Sequence, residues 1–396
     1  MIIDDAPADA TDLWDDTART PVIAGSLVER GTTFANAFGS SPLCCPGRVN
    51  ILTGLFSHHS GVVTNDVTPF DPSVTVGTEL RAAGYHTLYV GKYLNGLKAT
   101  APAYSDVARY GAGWDEFDAI WANNGAFYNY PLWTRDGVVS FGADPSDHSV
   151  DVSSRRLAGH LRTAPLDQPV FAVLSLYAIH APNPTLARFQ GDARCLDMQD
   201  HAPPNYNEAD VSDKPAYVQR LAPLARDAWP MRENCEGMLG IDLALSRVRS
   251  ALAAQGRLED TLIVFVADNG MNFGAHRLGG KSTPYATPVP LYLSWPARWG
   301  TAGRRIEEYV SNVDIAPTLC EVAGCVMGPY PSGQERSDGV SLLPLLDGRV
   351  GTLGRDIVYE ELLAGESASG RPAWSALRTA PGHRLGAWHY LSLIHI

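Results

Sequence analysis

What most constrains the fold of this chain is a regular alternation. Short apolar runs bounded by Gly, Pro or Asp take turns with longer segments of helical period. Residues 86–90 (HTLYV), 170–177 (VFAVLSLY), 261–267 (TLIVFVA) and 289–295 (VPLYLSW) are β-branched or aromatic and read as buried strands; residues 1–3 open the chain in the same way. Between them, residues 21–30, 76–83, 150–162, 233–255 and 314–323 read as helices, several closing on a glycine (Gly31, Gly84, Gly256, Gly324). Such alternation predicts an α/β fold: a large mixed, mostly parallel central sheet flanked by helices. Ligands in such sheets gather beyond the carboxyl ends of the strands. Three strand ends carry polar groups there: Asp4 and Asp5, His180, and Asp268 with Asn269.

The alternation weakens twice. Residues 183–232 are Pro-rich without clean periodicity and read as an insertion over the functional edge. After Gly328 the chain turns loop-like, with strand candidates at 357–362 and 374–378. The expected organisation is therefore a catalytic α/β domain over 1–328 and the start of a small antiparallel subdomain over 329–396. Composition (45% hydrophobic, 19% charged) is that of a folded globular chain. With 31 basic against 43 acidic residues the net charge is −12, which argues against nucleic acid as a partner. The longest apolar stretch, residues 170–179, is broken only by Ser175 and falls far short of the ~18 residues of a membrane span. Cysteines 44, 45, 195, 235, 320 and 325 show no zinc spacing. Disulfides between Cys195 and Cys235 or Cys320 and Cys325 are open to the chain, but four buried free thiols are the plainer expectation. Trp114, Trp121, Tyr128, Tyr130 and Trp133 are expected to form a satellite core rather than a sugar-stacking surface.

Adjacent carboxylates repel unless a cation lies between them, and hard divalent cations favour oxygen ligands. Asp4, Asp5, Asp268 and Asn269 together offer three carboxylates and an amide, a set open to Ca²⁺ or Mg²⁺. The sharpest local signal is SPLCCPGRVNILTG over residues 41–54, with Cys44, Pro46 and Arg48 in a C-x-P-x-R pattern before a helical run. A helix N-terminus and Arg48 should favour the Cys44 thiolate. A thiol-phosphatase loop is excluded, because the arginine it needs six residues on is replaced by Asn50 (from Cys44) or Ile51 (from Cys45).

This motif resembles the hallmark of the formylglycine-dependent sulfatases, a family of alkaline-phosphatase-like fold. The resemblance extends to the paired acids Asp4 and Asp5, Lys92 in VGKYLNG, His180 in AIHAPNP, Asp268–Asn269–Gly270, Lys281 in HRLGGKSTPY and the DIAPTLCEVAG helix. It implies that Cys44, not Cys45, is converted to formylglycine by a formylglycine-generating enzyme, and that Asp4, Asp5, residue 44, Asp268 and Asn269 hold Ca²⁺. It further implies that Arg48 binds the aldehyde hydrate and nearby acids, that Lys92 and Lys281 hold sulfate oxygens, and that His180 binds sulfate or protonates the leaving group. His276 is a further candidate, whereas His58 and His59 belong to a rim. Departures are Gly47 where serine is commoner, Leu94 where many relatives carry histidine, and Ala286 where glutamate is frequent. K-Y-L-N and the CCPGR context look more like the N-acetylglucosamine-6-sulfatase branch. The implied function is sulfate-ester hydrolysis on a sulfated small molecule or saccharide. Two alternatives stay open: a phosphonate or phosphate diester hydrolase of the same superfamily, and a non-catalytic binding protein with unmodified Cys44. The resemblance also leads us to expect the first strand to begin upstream of Met1 and the last subdomain to continue past Ile396, with tail residues 391–396 outside the family pattern. The compartment (secreted, periplasmic or cytoplasmic) is left open.

Overall fold

The apolar runs pair with one another rather than with local hairpin partners, which builds the sheet from distant parts of the chain. The computed structural model describes residues 1–8, 11–95, 104–120, 126–225, 230–364, 372–381, 383, 386–387 and 389–394. Its strands are β1 (Ile2–Ile3), β2 (Thr32–Phe38), β3 (His86–Lys92), β4 (Glu116–Ile120), β5 (Pro131–Thr134), β6 (Gly137–Ser140), β7 (Val170–Leu176), β8 (Ile263–Ala267), β9 (Asn272–Phe273), β10 (Gly279–Gly280), β11 (Leu291–Ser294), β12 (Arg304–Ser311), β13 (Ile357–Leu362), β14 (Ala373–Thr379) and β15 (His389–Ile394). Ten form one sheet in the order β12-β2-β11-β8-β1-β7-β3-β4-β5-β6. The centre, β8 to β4, is parallel throughout. β11 and β5 run the other way, so the sheet is mixed and mostly parallel, as expected. Register aligns the strand ends: Ile3 pairs with Leu176 and Ala267, and Gly91 with Ser175. The residues that follow these pairs, Asp4, Asp268 and Lys92, therefore emerge at one edge.

Two helix groups pack around this sheet. The helices Cys44–Thr53, Val76–Ala82 and Ile315–Ala323 contact one another, as do Ser149–Thr163 and Met231–Ala254. Two glycines permit unusually close approach. A Cβ on Gly91, whose φ is +110°, would lie 1.9 Å from the Ser175 carbonyl oxygen, and one on Gly47 would lie 2.2 Å from that of Asp268. At the second contact the helix bearing Cys44 lies directly against the end of β8.

Several sequence expectations are corrected. β2, β4 and β12 are missed because polar residues hide their pattern. β12 is an edge strand alternating charged and half-buried residues, and Asp118 on β4 is neutralised by Arg156 and His160 from the neighbouring helix. The run 289–295 is a buried strand but antiparallel. The segment 21–30 divides into a short helix, Pro21–Ile23, and a π-helical turn, Ala24–Val28. Trp114, Tyr130 and Trp133 lie in the main core rather than a satellite, and Trp121 is outside the described residues. Cys195–Cys235 and Cys320–Cys325 form disulfides instead of four free thiols, since folding brings their Cα atoms to 5.7 and 4.7 Å. Cys44 and Cys45 stay free and buried.

Of the tail, residues 391–394 belong to β15, the third strand of the antiparallel sheet β13-β14-β15, and residues 395–396 lie outside the described residues. This sheet packs at the polar edge. Leu362, Trp374 and Ala376 bury Leu43, Glu361 N donates to Ser40 O (2.8 Å), and Trp374 Nε1 donates to Ser282 O (3.1 Å).

Candidate active site

The parallel strands β1, β3, β7 and β8 deliver their terminal residues to one buried cluster, and the helix Cys44–Thr53 adds Cys44 and Arg48 from β2's side. All ten residues of that helix are buried, and it stops at Gly54, whose φ of +72° is the left-handed cap geometry. Arg48 is one turn beyond Cys44 and 1% exposed. Its Nε donates to Asp268 Oδ2 (2.7 Å), one terminal nitrogen donates to Ser175 Oγ (2.5 Å) and Lys92 O (3.0 Å), and the other stands 3.8 Å from Asp4 Oδ1. Lys92 Nζ donates to Asp4 Oδ2 (2.5 Å) and lies 4.9 Å from the centre of the Tyr177 ring. Lys281 Nζ bridges Asp5 Oδ1 (2.5 Å) and Cys44 Sγ (2.8 Å). His180 Nε2 is 3.5 Å from Asp5 Oδ2, while its Nδ1 donates to the Ala181 carbonyl. Asn269 Nδ2 donates to Asp5 Oδ1 (2.8 Å), and Asp268 Oδ1 accepts from the backbone N–H groups of Asp5 and Asn269.

Every residue proposed from sequence as catalytic or metal-binding (Asp4, Asp5, Cys44, Arg48, Lys92, His180, Asp268, Asn269 and Lys281) is thus part of one contact network. Others are not. His276 turns away, with Nδ1 on Glu208 (2.6 Å) and Nε2 by Asn205 (3.3 Å). His58 and His59 bind the carboxylates of Glu361 and Asp338 through Nδ1, at the junction with the β13 sheet. Ser175 and Tyr177 escaped sequence notice. Ser175 had a signal, as the single polar break in the apolar run 170–179; Tyr177 had none, because an aromatic in a strand reads as core.

Charge in the cluster is tightly set. Burial alone would raise Asp4, but Lys92, His180, Arg48 and Lys281 outweigh it and hold its carboxyl well below the usual range. Asp268 goes the other way, raised by burial and the like charge of Asp4 against the pull of Arg48. Burial pushes the Cys44 thiol up to about 12 despite Lys281 and Lys92. This corrects the expectation of a thiolate: desolvation outweighs the helix dipole, and Arg48 is committed to Asp268. As a thiol, residue 44 is a poor nucleophile at neutral pH.

The donor set fits a hard divalent cation. One ligand atom from each of Asp4, Asp5, Cys44 and His180 lies within 4.8 Å of the others; Asp268, expected among the ligands, is outside this group with its oxygens taken by Arg48 and the N–H groups of Asp5 and Asn269. Asp4 Oδ1 and Asn269 Oδ1 are buried acceptors without a hydrogen-bond donor, as metal-directed oxygens are before their ion is counted. A separate cavity of about 450 Å³ opens at the starts of β1, β7 and β8, is lined largely by apolar residues, and has no part in this cluster. Among the described residues no helix is long and apolar enough to cross a membrane.

Comparison with known proteins places the chain among relatives. The sulfatase family model matches residues 1–325. An arylsulfatase of Volvox carteri is 30% identical over 337 residues, covering 74% of this chain and 50% of that protein. The N-acetylglucosamine-6-sulfatase of Capra hircus is 27% identical over 354 residues, covering 84% and 61%. The extracellular sulfatase SULF-1 homolog of Drosophila melanogaster is 28% identical over 339 residues, covering 81% and 29%. The chain thus spans less than two thirds of the length of each of these relatives. Among solved structures, a protein in complex with its substrate D-glucosamine-2-N,6-O-disulfate superposes with a TM-score of 0.74 at 18% identity, over 99% of this chain and 90% of that one. A phosphonate monoester hydrolase from Silicibacter pomeroyi gives 0.71 at 20% identity, over 99% and 86%.

Proposed function

The chain belongs to the sulfatase family, and from that premise we propose that it hydrolyses sulfate esters, with residue 44 as the nucleophilic centre after conversion of Cys44 to formylglycine. The observation that carries this reading is the position of Cys44: its sulfur sits 2.8 Å from Lys281 Nζ and 3.8 Å from Asp5 Oδ1, inside a cluster with two donor-free acceptor oxygens. The high pKa of the thiol supports it, since unmodified cysteine there has little reactivity of its own.

A sulfate ester resists attack because its oxygens repel nucleophiles and its leaving group is an alkoxide. Asp4, Asp5, Asp268 and Asn269 would hold Ca²⁺ (Mg²⁺ suits the set less), with residue 44 beside it. Bound there, the ion would supply Lewis acidity toward sulfate oxygens and toward the residue 44 nucleophile. Converted to the hydrated aldehyde, residue 44 would offer two geminal hydroxyls, chemistry suited both to attack on sulfur and to release of sulfate. The chain's own residues do the rest. Lys92 and Lys281 bring two positive charges to the sulfate, and they are already held by Asp4 and Asp5. Arg48 fixes Asp268 and faces Asp4, so the acids keep their positions. His180, with Nδ1–H given to Ala181 O, presents Nε2 toward the cluster, where its protonated form can hold sulfate or give a proton to the departing oxygen.

Sulfated saccharides are the proposed substrates, supported by the N-acetylglucosamine-6-sulfatase relative and the disulfated glucosamine bound by a structural neighbour. A formylglycine-generating enzyme is the implied partner. The test is turnover by one purified sample of 6-O-sulfated glucosamine and of a phosphonate monoester. The reading predicts faster sulfate release; faster phosphonate cleavage, or neither, would sink it.

A further inference from the structure

Lys281 reaches Asp5 (2.5 Å) and Cys44 (2.8 Å) from a short segment with few side chains to anchor it. It directly follows β10, which is only Gly279 and Gly280, paired with Phe273 and Asn272 of β9. Neither glycine has a side chain to pack, and a Cβ on Gly280 would meet open space. The residue after the lysine, Ser282, has a φ of +76°, in the left-handed region that side chains other than glycine rarely adopt. Backbone of this kind persists only where its surroundings over-determine it.

Two such restraints are built, one on each side of Lys281 in sequence. Upstream, Arg277 straps the tip of the β9–β10 hairpin to the insertion. Its Nε donates to Glu208 O (2.9 Å), and its two terminal nitrogens donate to Leu221 O (3.1 Å) and Ala209 O (2.6 Å). A planar guanidinium with donors fixed in direction can hold three carbonyls at once. Backbone bonds reinforce it: His276 N donates to Asn205 O and Asn207 N to Gly274 O, both at 2.8 Å. Leu278 is buried against Val211 and Val218 of the insertion. Downstream, Trp374 of β14, 2% exposed, donates its Nε1 to Ser282 O (3.1 Å). The insertion and the C-terminal sheet thus both fasten onto the segment that carries this lysine.

We propose that Arg277 and Trp374 are positioning residues, which hold residues 279–282 so that the Lys281 ammonium stays against residue 44 and the sulfate bound there. What Lys281 does in the reaction rests on the sulfatase reading; how it is held does not. The insertion and the C-terminal sheet then act on catalysis through one side chain.

The experiment has an exchange arm and a kinetic arm, both on the full chain. Arg277→Met keeps the aliphatic stem and removes all three donors. Trp374→Phe removes the Nε1 bond; as the smaller change, it carries the test should Arg277→Met fail to fold. Each variant should speed amide hydrogen exchange over residues 274–283 by about tenfold, with the central strands unchanged. On 6-O-sulfated glucosamine each should lower kcat/KM by about 10- to 100-fold, the scale of a ~1 Å misplacement. Lys281→Met should lower it too. Adding either variant to Lys281→Met should then change it by less than about twofold, because all three changes act through the same ammonium. Unchanged exchange over 274–283 would overturn the assignment, as would exchange that rises throughout the chain. So would losses that multiply in the double variants, the sign of a general structural role. Absence of turnover by the wild type would remove the sulfatase reading alone, and the exchange arm would still decide how Lys281 is held.

Discussion

Arg48 shows how much one side chain can organise. It is buried, joins Asp268 to the Ser175 hydroxyl and faces Asp4, so it links three strand ends with one cation. Replacing it with methionine roughly keeps the volume and leaves the buried Asp268 without its counter-charge, while Asp4 keeps Lys92. Arg48→Met should cost about 3–5 kcal/mol of stability, measured by chemical denaturation, and abolish turnover. A loss below 1 kcal/mol would mean that Asp268 is neutralised by something else. Cys44 supports a sharper test. A serine at 44 can attack sulfur but lacks the second hydroxyl needed to expel sulfate. Cys44→Ser should therefore release one equivalent of the alcohol in a burst and then stall as a sulfated enzyme detectable by intact mass. Continuous turnover would contradict the need for that second hydroxyl. Asp4, Asp5, His180, Asp268 and Asn269 were legible in sequence as polar groups ending apolar strands, whereas Lys92 and Lys281 were legible only through the family resemblance, since a lone lysine reads as a surface residue. Ser175 and Tyr177 were not, because their roles exist only when β7 lies beside β3.

At the scale of elements, two contacts govern how the site is held. The helix Cys44–Thr53 rests on the Asp268 backbone at Gly47, where no Cβ fits. Gly47→Ser, which restores the residue commoner in the family, should destabilise by about 1–3 kcal/mol, the usual range for overpacking; an unchanged denaturation midpoint would show that the helix can shift. The second contact is the clamp of Ser149–Thr163 on β4. Burial would raise Asp118, but hydrogen bonds from His160 (2.6 Å) and Arg156 (2.7 Å) win and depress it. A carboxylate with a lowered folded pKa adds stability above its unfolded value near 4 and loses it as pH falls through the folded one. Stability should therefore drop more steeply below about pH 4 in the wild type than in Asp118→Asn, as read by denaturation at stepped pH. Equal slopes would remove the clamp. β4 was invisible in sequence for this same reason: Asp118 looks like a loop acid until its partners arrive. β12 was hidden because its charged face is an edge, and residues 391–394 because a strand of mixed polarity is identified by pairing with β14 rather than by pattern.

For the molecule as a whole, alternation of strand and helix made the central sheet and its functional edge readable. Reversal of β11, the two disulfides and the docking of the C-terminal sheet were not readable, since each depends on which distant segments meet. The whole assembly converges on one charged site, so ion binding should be coupled to global stability. Calcium at 100 times its Kd should add about 2.7 kcal/mol, seen as a raised melting temperature, and Asp268→Asn should lose that response. A calcium-independent melt would take the metal out of the account. The central claim is that residue 44 becomes an aldehyde and that this aldehyde does the chemistry. It is tested most directly by peptide mass spectrometry across residues 41–54 after co-expression with a formylglycine-generating enzyme, with turnover of 6-O-sulfated glucosamine read on the same samples. The aldehyde mass at residue 44 and activity proportional to the converted fraction are expected. An intact thiol with no turnover, or turnover that does not follow conversion, would contradict it.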